Sequence, residues 1–382
     1  MTIGLIEENR TFFSKRIFTS WEIHYSIDHN EEELNPEEGC VIMKVGKIII
    51  CVIVLVWVFL AAACSSSVSA APTYHIEGPN ILCDGKPVIL RGINAMHIFA
   101  GNDPLDWPGI GIIREFVGDL KNAPLKSGET YRDMDHHWRL RALQDLVDDN
   151  RKRGLVTILC PFSWDGSKET QFTGSSPCQS PWYKDYKSRM REWAAQFKGQ
   201  SDVWIELMNE PFHPLNTAED DALWLAAMTD MVDNLRSADW SGIILVPGSA
   251  WGQDETVIER MGPRLLAGRN DLIFDVHIYN RWQDQPDTIP ARCAKIKASG
   301  LPFIFGEFGT GSGDGVRDTH PFMKAAQENH FSVLAWGWGT WGPRKPNNLQ
   351  LNDGTPNDVG NFGWGSAYKA FLNSGCTTEV RQ

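Results

Sequence analysis

The sequence predicts an α/β fold in which eight parallel strands close into a barrel with helices outside, as one domain behind a short N-terminal hairpin. Three observations predict it. From Tyr74 onward, apolar runs of strand length recur eight times, and near-continuous apolar runs are what a parallel sheet covered on both faces requires. Stretches with helical spacing separate most of these runs. The polar residues that interrupt the runs cluster towards their carboxyl-terminal ends, the edge at which barrels of this kind carry their sites. The length of 382 residues suits one large barrel.

Before the barrel, residues 1–42 hold nine acids and three bases, half of the net charge of -12. They show no periodic pattern and read as an upstream extension of the gene model that stays disordered. At Met43 a new start is legible. Lys44 and Lys47 precede an unbroken apolar run over 48–63, and Val68-Ser69-Ala70 fits a small-x-small cleavage site. Residues 43–70 therefore read as a secretory signal peptide, too short for a comfortable span of about 20 residues. Two other readings stay open. Residues 60–64, "LAAAC", resemble a lipoprotein box, which would put a lipid on Cys64, and the segment would otherwise stay as an uncleaved anchor. Residues 71–382 form the barrel domain.

Within that domain, 74–90 reads as a hairpin turning at Asp84-Gly85-Lys86-Pro87. The eight runs follow at 88–94, 110–117, 155–162, 203–211, 242–249, 272–279, 302–309 and 332–339. Helical patterns lie at 138–154, 180–199, 222–237, 320–330 and 366–373. The first crossover, 95–109, is rich in Pro and Gly, so its helix is irregular or missing. Strands alternating with helical crossovers argue for a (β/α)8, or TIM, barrel without a second domain.

Composition narrows the partners. An acidic chain without a long basic run is unsuited to nucleic acid. The 16 tryptophans exceed ordinary core needs and point to a groove lined by flat apolar faces. Five cysteines follow Ala70: Cys83, Cys160, Cys178, Cys293 and Cys376. They form no CxxC pair, so a structural zinc site is not expected. Cys160–Cys178 and Cys83–Cys376 bridges stand beside buried free thiols as open alternatives. No metal and no cofactor are expected, and membrane contact is expected only through the leader or the lipid. A monomer is expected.

Reading each run to its end brings Arg114 from the second, Asn209 and Glu210 from the fourth, His277 and Tyr279 from the sixth, Glu307 from the seventh, and Trp336 and Trp338 from the eighth. Two glutamates facing each other across a barrel mouth suit glycoside hydrolysis. One carboxylic acid protonates the leaving oxygen while the other meets the anomeric carbon, and the two need proton affinities pushed apart. An arginine and a tyrosine hydroxyl beside one carboxylate would hold it and favour its charge.

At these residues the sequence resembles glycoside hydrolase family 5, the cellulase and mannanase family of retaining barrels. The motifs that carry the resemblance are "LRGIN" at 90–94, "IIRE" at 112–115, "MNEP" at 208–211, "DVHIY" at 275–279, "FGEFG" at 305–309 and "LAWGWG" at 334–339. It covers roughly residues 73–375. The resemblance implies Glu210 as acid/base and Glu307 as nucleophile. It implies Asn209 on the sugar 2-hydroxyl, Arg114 and Tyr279 holding the nucleophile, and His277 supporting the acid/base. Trp336 is implied under the sugar beside the cut, with Trp338 as its competitor for that place. Trp251 and Trp282, in the loops after the fifth and sixth runs, and Trp164 after the third, are expected on the substrate. One departure stands out. Members usually carry a histidine after the third strand, where this chain reads "LCPFSWDG" at 159–166. Trp164 or Ser163 is expected to take over part of its role, or His97 from the first loop.

The expected activity is a retaining β-glycoside hydrolase, endo-acting on a β-1,4-linked glucan or mannan. The alternative is a weakly active or non-catalytic glycan-binding barrel, which the missing histidine motivates. A metal-dependent hydrolase ranks low because His136 and His137 are adjacent and no HxH strand pair occurs. The glycine-rich "GTGSGDG" at 309–315 lacks a P-loop lysine and reads as a loop beside the site.

Overall fold

A computed structural model describes residues 72–99, 107–132, 139–174, 176–214, 217–311, 315–339, 346–351 and 353–374. The chain divides into Met1–Ser69, which lies outside the described residues, and Ala70–Gln382. The expected extension, leader and Cys64 therefore lie outside them, as do His136, His137 and Cys376. No helix among the described residues is long and apolar enough to cross a membrane.

All eight expected runs become barrel strands. They are β4 (Arg91–Ala95), β5 (Ile112–Val117), β8 (Val156–Pro161), β9 (Val203–Glu206), β10 (Ile244–Pro247), β11 (Leu272–Ile278), β12 (Phe303–Phe308) and β13 (Ser332–Ala335). Each pairs in parallel with the next, and β13 closes on β4. The hairpin is a three-stranded antiparallel sheet: β1 (Tyr74–Glu77), β2 (Asn80–Cys83) and β3 (Lys86–Val88).

Among the described residues, eight α-helices accompany the strands: α1 (Leu143–Lys152), α2 (Tyr183–Gln196), α3 (Ala218–Arg236), α4 (Glu255–Leu266), the short α5 (Asn280–Gln283), α6 (Ile289–Ser299), α7 (His320–Glu328) and α8 (Trp364–Asn373). The pattern at 138–154 is helical only from Leu143. Its first residues form β7 (Arg139–Arg141), paired antiparallel with β6 (Thr130–Arg132), so a tertiary partner overrides the helical spacing there. Two helices, α4 and α6, were not legible as periodic patterns. A capping box at Thr217 and Asp220 starts α3 four residues ahead of the expected stretch.

Alternation along the strands sorts the core into two bodies. Outward residues such as Ile93, Ile113, Leu159, Ile205, Val246, Phe274, Phe305 and Val333 pack among the helices. Inward residues at the lower end, Leu90, Ile112, Ile158, Trp204, Leu245, Ile273, Ile304 and Leu334, form a separate apolar layer. The N-terminal sheet caps this layer with Ile81, Tyr74, Ile76 and Val88. The Ile76 backbone N–H also donates to Asp271 Oδ1 at 2.8 Å. The barrel is filled from below, as small barrels are.

One irregularity positions the site. Between Asp275 and His277 the chain of β11 advances two residues while β12 advances three, from Ile304 to Glu307. On the other edge, β12 again spends one residue more than β13 between Phe305 and Phe308. This bulge lets Glu307 face the barrel mouth although strict alternation would turn it towards the helices. Gly306 sits in the bulge, where a Cβ would collide with the Asp275 carboxylate.

Trp204 tests the floor. It is fully buried, meets Tyr74 edge-on at 5.9 Å, and donates its indole N–H to Ser201 O at 3.1 Å. Trp204→Ala is expected to cost about 3–5 kcal/mol, read from the shift in chemical unfolding at unchanged slope.

Candidate active site

Above the apolar floor lies an ionic layer centred on Arg114, an inward residue of β5 that is fully buried. All five of its donors are engaged. Nε and Nη2 clamp Glu206 at 2.5 and 2.7 Å, and Nη1 reaches Glu307 Oε1 at 2.6 Å. The remaining bonds go to the side-chain oxygens of Asn94 at 3.1 Å and Asn209 at 2.9 Å. Asn94 in turn donates to Gly306 O at 2.8 Å, bracing the bulge from β4. Because the Arg114 contact takes the Asn209 amide oxygen, the NH2 group is the part turned away from the guanidinium.

The second oxygen of Glu307 accepts from the Tyr279 hydroxyl at 2.9 Å. Burial first, then the Glu307 charge, pushes the Tyr279 phenol well above its ordinary range, so it stays a donor. Across the mouth, Glu210 Oε1 meets His277 Nδ1 at 2.9 Å. Burial, reinforced by the charge of Glu307, raises Glu210 above its ordinary value although His277 pulls it down. Single carboxylate oxygens of Glu210 and Glu307 and a ring nitrogen of His277 lie within 4.8 Å of one another. The backbone of Glu210 is pinned by its N–H to Phe172 O at 3.0 Å and by Gly174 N–H donating to its carbonyl at 2.6 Å.

These carboxylates open into a cleft of about 570 Å³ to which every barrel strand or its following loop contributes. Met96 comes after β4, Phe116 from β5, Phe162 after β8, Asn209 and Glu210 after β9, and Trp251 and Gln253 after β10. Tyr279, Asn280 and Arg281 follow β11, Glu307 and Gly311 come from β12 and its loop, and Trp336 and Asn347 follow β13. Trp251 is held by a turn in which Ala250, Trp251 and Gly252 all have positive φ, at 53°, 56° and 72°. The turn is anchored where Gly252 O accepts the His277 backbone N–H at 2.8 Å. Two successive non-glycine residues in this region carry strain that the packed surroundings must hold.

The structure brings Arg114, Asn209, Glu210, His277, Tyr279 and Glu307 together and sets Trp251 and Trp336 on the cleft. Three tryptophans go elsewhere. Trp282 is fully buried; its N–H donates to Gln253 O at 2.9 Å and the Arg292 guanidinium lies over its ring. Trp338 is 1% exposed and packs edge-on against Trp107 at 5.0 Å, because the strand alternation ends at Ala335. Trp164 lies parallel to Trp182, 6.2 Å away, and is not among the residues lining the cleft. Most of the tryptophans among the described residues are therefore core: Trp193, Trp204, Trp224, Trp240 and Trp364 are also fully buried.

The place after the third barrel strand belongs to Phe162. Ser163 is buried with its hydroxyl on Gly118 O, and His97 pairs with Glu115 on the outward side of β5 at 2.9 Å. Phe162 meets Phe116 edge-on at 5.2 Å, and Phe116 meets Trp336 at 4.8 Å, so one wall of the cleft is aromatic. Sequence reasoning missed this wall and the two buried acids beneath it, Glu206 and Asp275. Their signal was present: each is a charged residue on the inward parity of an otherwise apolar run. Cys83, Cys160, Cys178 and Cys293 are free thiols, so the Cys160–Cys178 bridge does not form.

Paired carboxylates on a barrel mouth, one held by an arginine and a tyrosine and the other by a histidine, define a site of the glycosidase class. The sequence matches the description Cellulase (glycosyl hydrolase family 5) over residues 117–342. The chain belongs to glycoside hydrolase family 5. It is 22% identical over 281 residues to a mannan endo-1,4-beta-mannosidase of Cellvibrio japonicus, covering 72% of this chain and 60% of that one. A mannan endo-1,4-beta-mannosidase of Salipaludibacillus agaradhaerens is 22% identical over 269 residues, 69% of this chain and 81% of its own. Among solved structures, the catalytic domain of a mannanase from Streptomyces sp. SirexAA-E shares the fold with a TM-score of 0.60 at 21% identity, over 82% of this chain and 96% of that one.

Burial pushes Glu206 from an ordinary 4.5 up to about 7, against the pull of Arg114. A carboxyl raised on folding favours the fold while protonated. That contribution is full below pH 4.5 and is lost as pH rises through about 7. Unfolding measured against pH is therefore expected to show the wild type losing on the order of 3 kcal/mol across this window relative to Glu206→Gln. Parallel curves for the two proteins would contradict the assignment.

Proposed function

We propose that this chain is a retaining β-glycoside hydrolase, endo-acting on a β-1,4-linked glucan or mannan, with Glu307 as nucleophile and Glu210 as acid/base. The observation that carries the reading is the approach of a Glu210 oxygen and a Glu307 oxygen within 4.8 Å. Retaining enzymes hold their carboxyl groups about 5–5.5 Å apart, whereas inverting ones leave room for a water at about 6.5–9.5 Å. The names of the mannan-acting relatives favour mannan over glucan.

In the first step the Glu210 carboxyl gives its proton to the departing glycosidic oxygen while Glu307 attacks the anomeric carbon. The carbon–oxygen bond to the leaving sugar breaks and a glycosyl ester on Glu307 forms. Arg114 and Tyr279 orient the attacking carboxylate through one bond to each oxygen. Glu210, now ionised, takes a proton from water, which cleaves the ester and restores both groups. The free NH2 of Asn209 is aimed for a sugar hydroxyl, and Trp251 and Trp336 offer ring faces on the cleft. Endo-action rests on the spread of the lining over all eight strand ends. Export through the leader at 43–70, or anchoring by lipid on Cys64, rests on the sequence alone.

A glycan-binding barrel without turnover is the second reading, favoured by Phe162 in the place where a histidine is usual. A fluorinated sugar with a good leaving group separates the two: covalent labelling at Glu307, seen by mass spectrometry, is expected of the enzyme and not of the binder. Glu307→Ala is expected to abolish hydrolysis with the fold intact. Glu210→Ala is expected to slow polysaccharide cleavage at least about a hundredfold more than cleavage of activated aryl glycosides, which need no proton donor. Equal losses on both, or a product of inverted configuration, would count against these roles. A panel of β-linked polysaccharides with product lengths read out distinguishes glucan from mannan and endo from exo.

A further inference from the structure

Asp275 is fully buried, on the inward side of β11, two residues before His277. Its Oδ1 accepts the backbone N–H of Gly306, the residue before Glu307, at 2.5 Å. Its Oδ2 faces His277 Nε2 at 3.5 Å, and neither of these two atoms has any other hydrogen-bond partner. On its other side the same imidazole meets Glu210. One carboxylate thus touches the supports of both cleft glutamates. We propose that Asp275 is a positioning residue that keeps His277 an imidazolium, so that both ring nitrogens donate and His277 sets the proton affinity of Glu210.

The charge balance of the layer favours this. The groups facing Asp275 and His277 are Arg114 from β5, Glu206 and Glu210 from β9 and the turn after it, Glu307 from β12, and the neutral Tyr279 hydroxyl on β11's own end. The donors of Arg114 are already divided between Glu206, Glu307 and two amides. Asp275 then has no cation in direct contact unless the imidazole carries a proton, and an unpaired buried carboxylate is costly. Burial alone would push His277 down, but Glu307 at 3.8 Å and Asp275 outweigh it and hold the ring well above its ordinary value. A bond between an imidazole nitrogen and Asp275 fixes which nitrogen faces Glu210, as a partner on the second nitrogen generally does.

The proposal rests on Glu210 being the acid/base only for its kinetic arm. Ring nitrogen NMR of the full chain with labelled histidine is expected to find His277 protonated from about pH 6 to 8, where a free histidine loses its proton. In Asp275→Asn, which keeps an acceptor for Gly306, one of the two carboxylates that outweigh burial is gone, and the ring is expected to lose its proton at a lower pH than in the wild type. Without the imidazolium, the ionised form of Glu210 loses a charged donor, so the alkaline limb of kcat/KM is expected to move up by about one pH unit. A neutral His277 in the wild type overturns the proposal, as does an unmoved limb in a folded Asp275→Asn. Should that variant not fold, the wild-type spectrum alone decides. Absence of turnover on every β-glycan would instead defeat the proposed function and leave the imidazolium reading to the spectrum.

Discussion

The five-donor clamp around Arg114 is the constraint on which the rest of the site depends. A guanidinium with no solvent contact must have every N–H satisfied, and here two carboxylates and two amides satisfy them. Buried ion pairs of this kind add little net stability, because desolvation offsets the attraction. Their effect is geometric. Once Glu206 fixes the plane of Arg114 from below, Nη1 can approach Glu307 along one line and Nη2 can hold Asn209 along another. The Glu307 carboxylate and the Asn209 amide beside it are thereby held in place by the protein alone, which is the condition of a preorganised site.

The interior is stratified to make this workable. An apolar floor excludes water beneath the ions and lowers the local dielectric, which strengthens their mutual pull. The ionic layer is nearly closed to solvent, and the uppermost layer is half open, with Glu210 at 18% side-chain exposure above His277 at none. The bulge in β12 links the two upper layers. It needs Gly306, since any side chain there would strike Asp275, and it is braced from β4 by Asn94 and from β11 by Asp275. Three strands distant in sequence therefore fix one carboxylate.

Much of this was legible in the chain itself. The eight runs declared themselves because parallel strands, buried on both faces, must be apolar throughout, and the strand-end motifs stood out because nothing else tolerates polar groups there. What failed did so for physical reasons. The tryptophans at 282 and 338 carry the same ring as those at 251 and 336, and composition cannot tell which face a ring takes once the strand has ended. The helix expected from 138 begins at Leu143 because Arg139–Arg141 found a strand partner. Glu206 and Asp275 broke their runs in plain view, yet a lone acid in a strand does not announce its counter-ion. The sequence pairs Arg114 with Glu307 but does not reveal its second carboxylate, Glu206, which lies on the inward side of another strand.

The packed lower layer has a topological corollary. With Leu90, Trp204, Ile273 and their neighbours filling the bore and the three-stranded sheet set beneath them, the lower end of the barrel is closed among the described residues. A long polymer cannot be threaded through it like a cord through a bead. Whatever the cleft admits must therefore come in over the rim and leave by the side it entered.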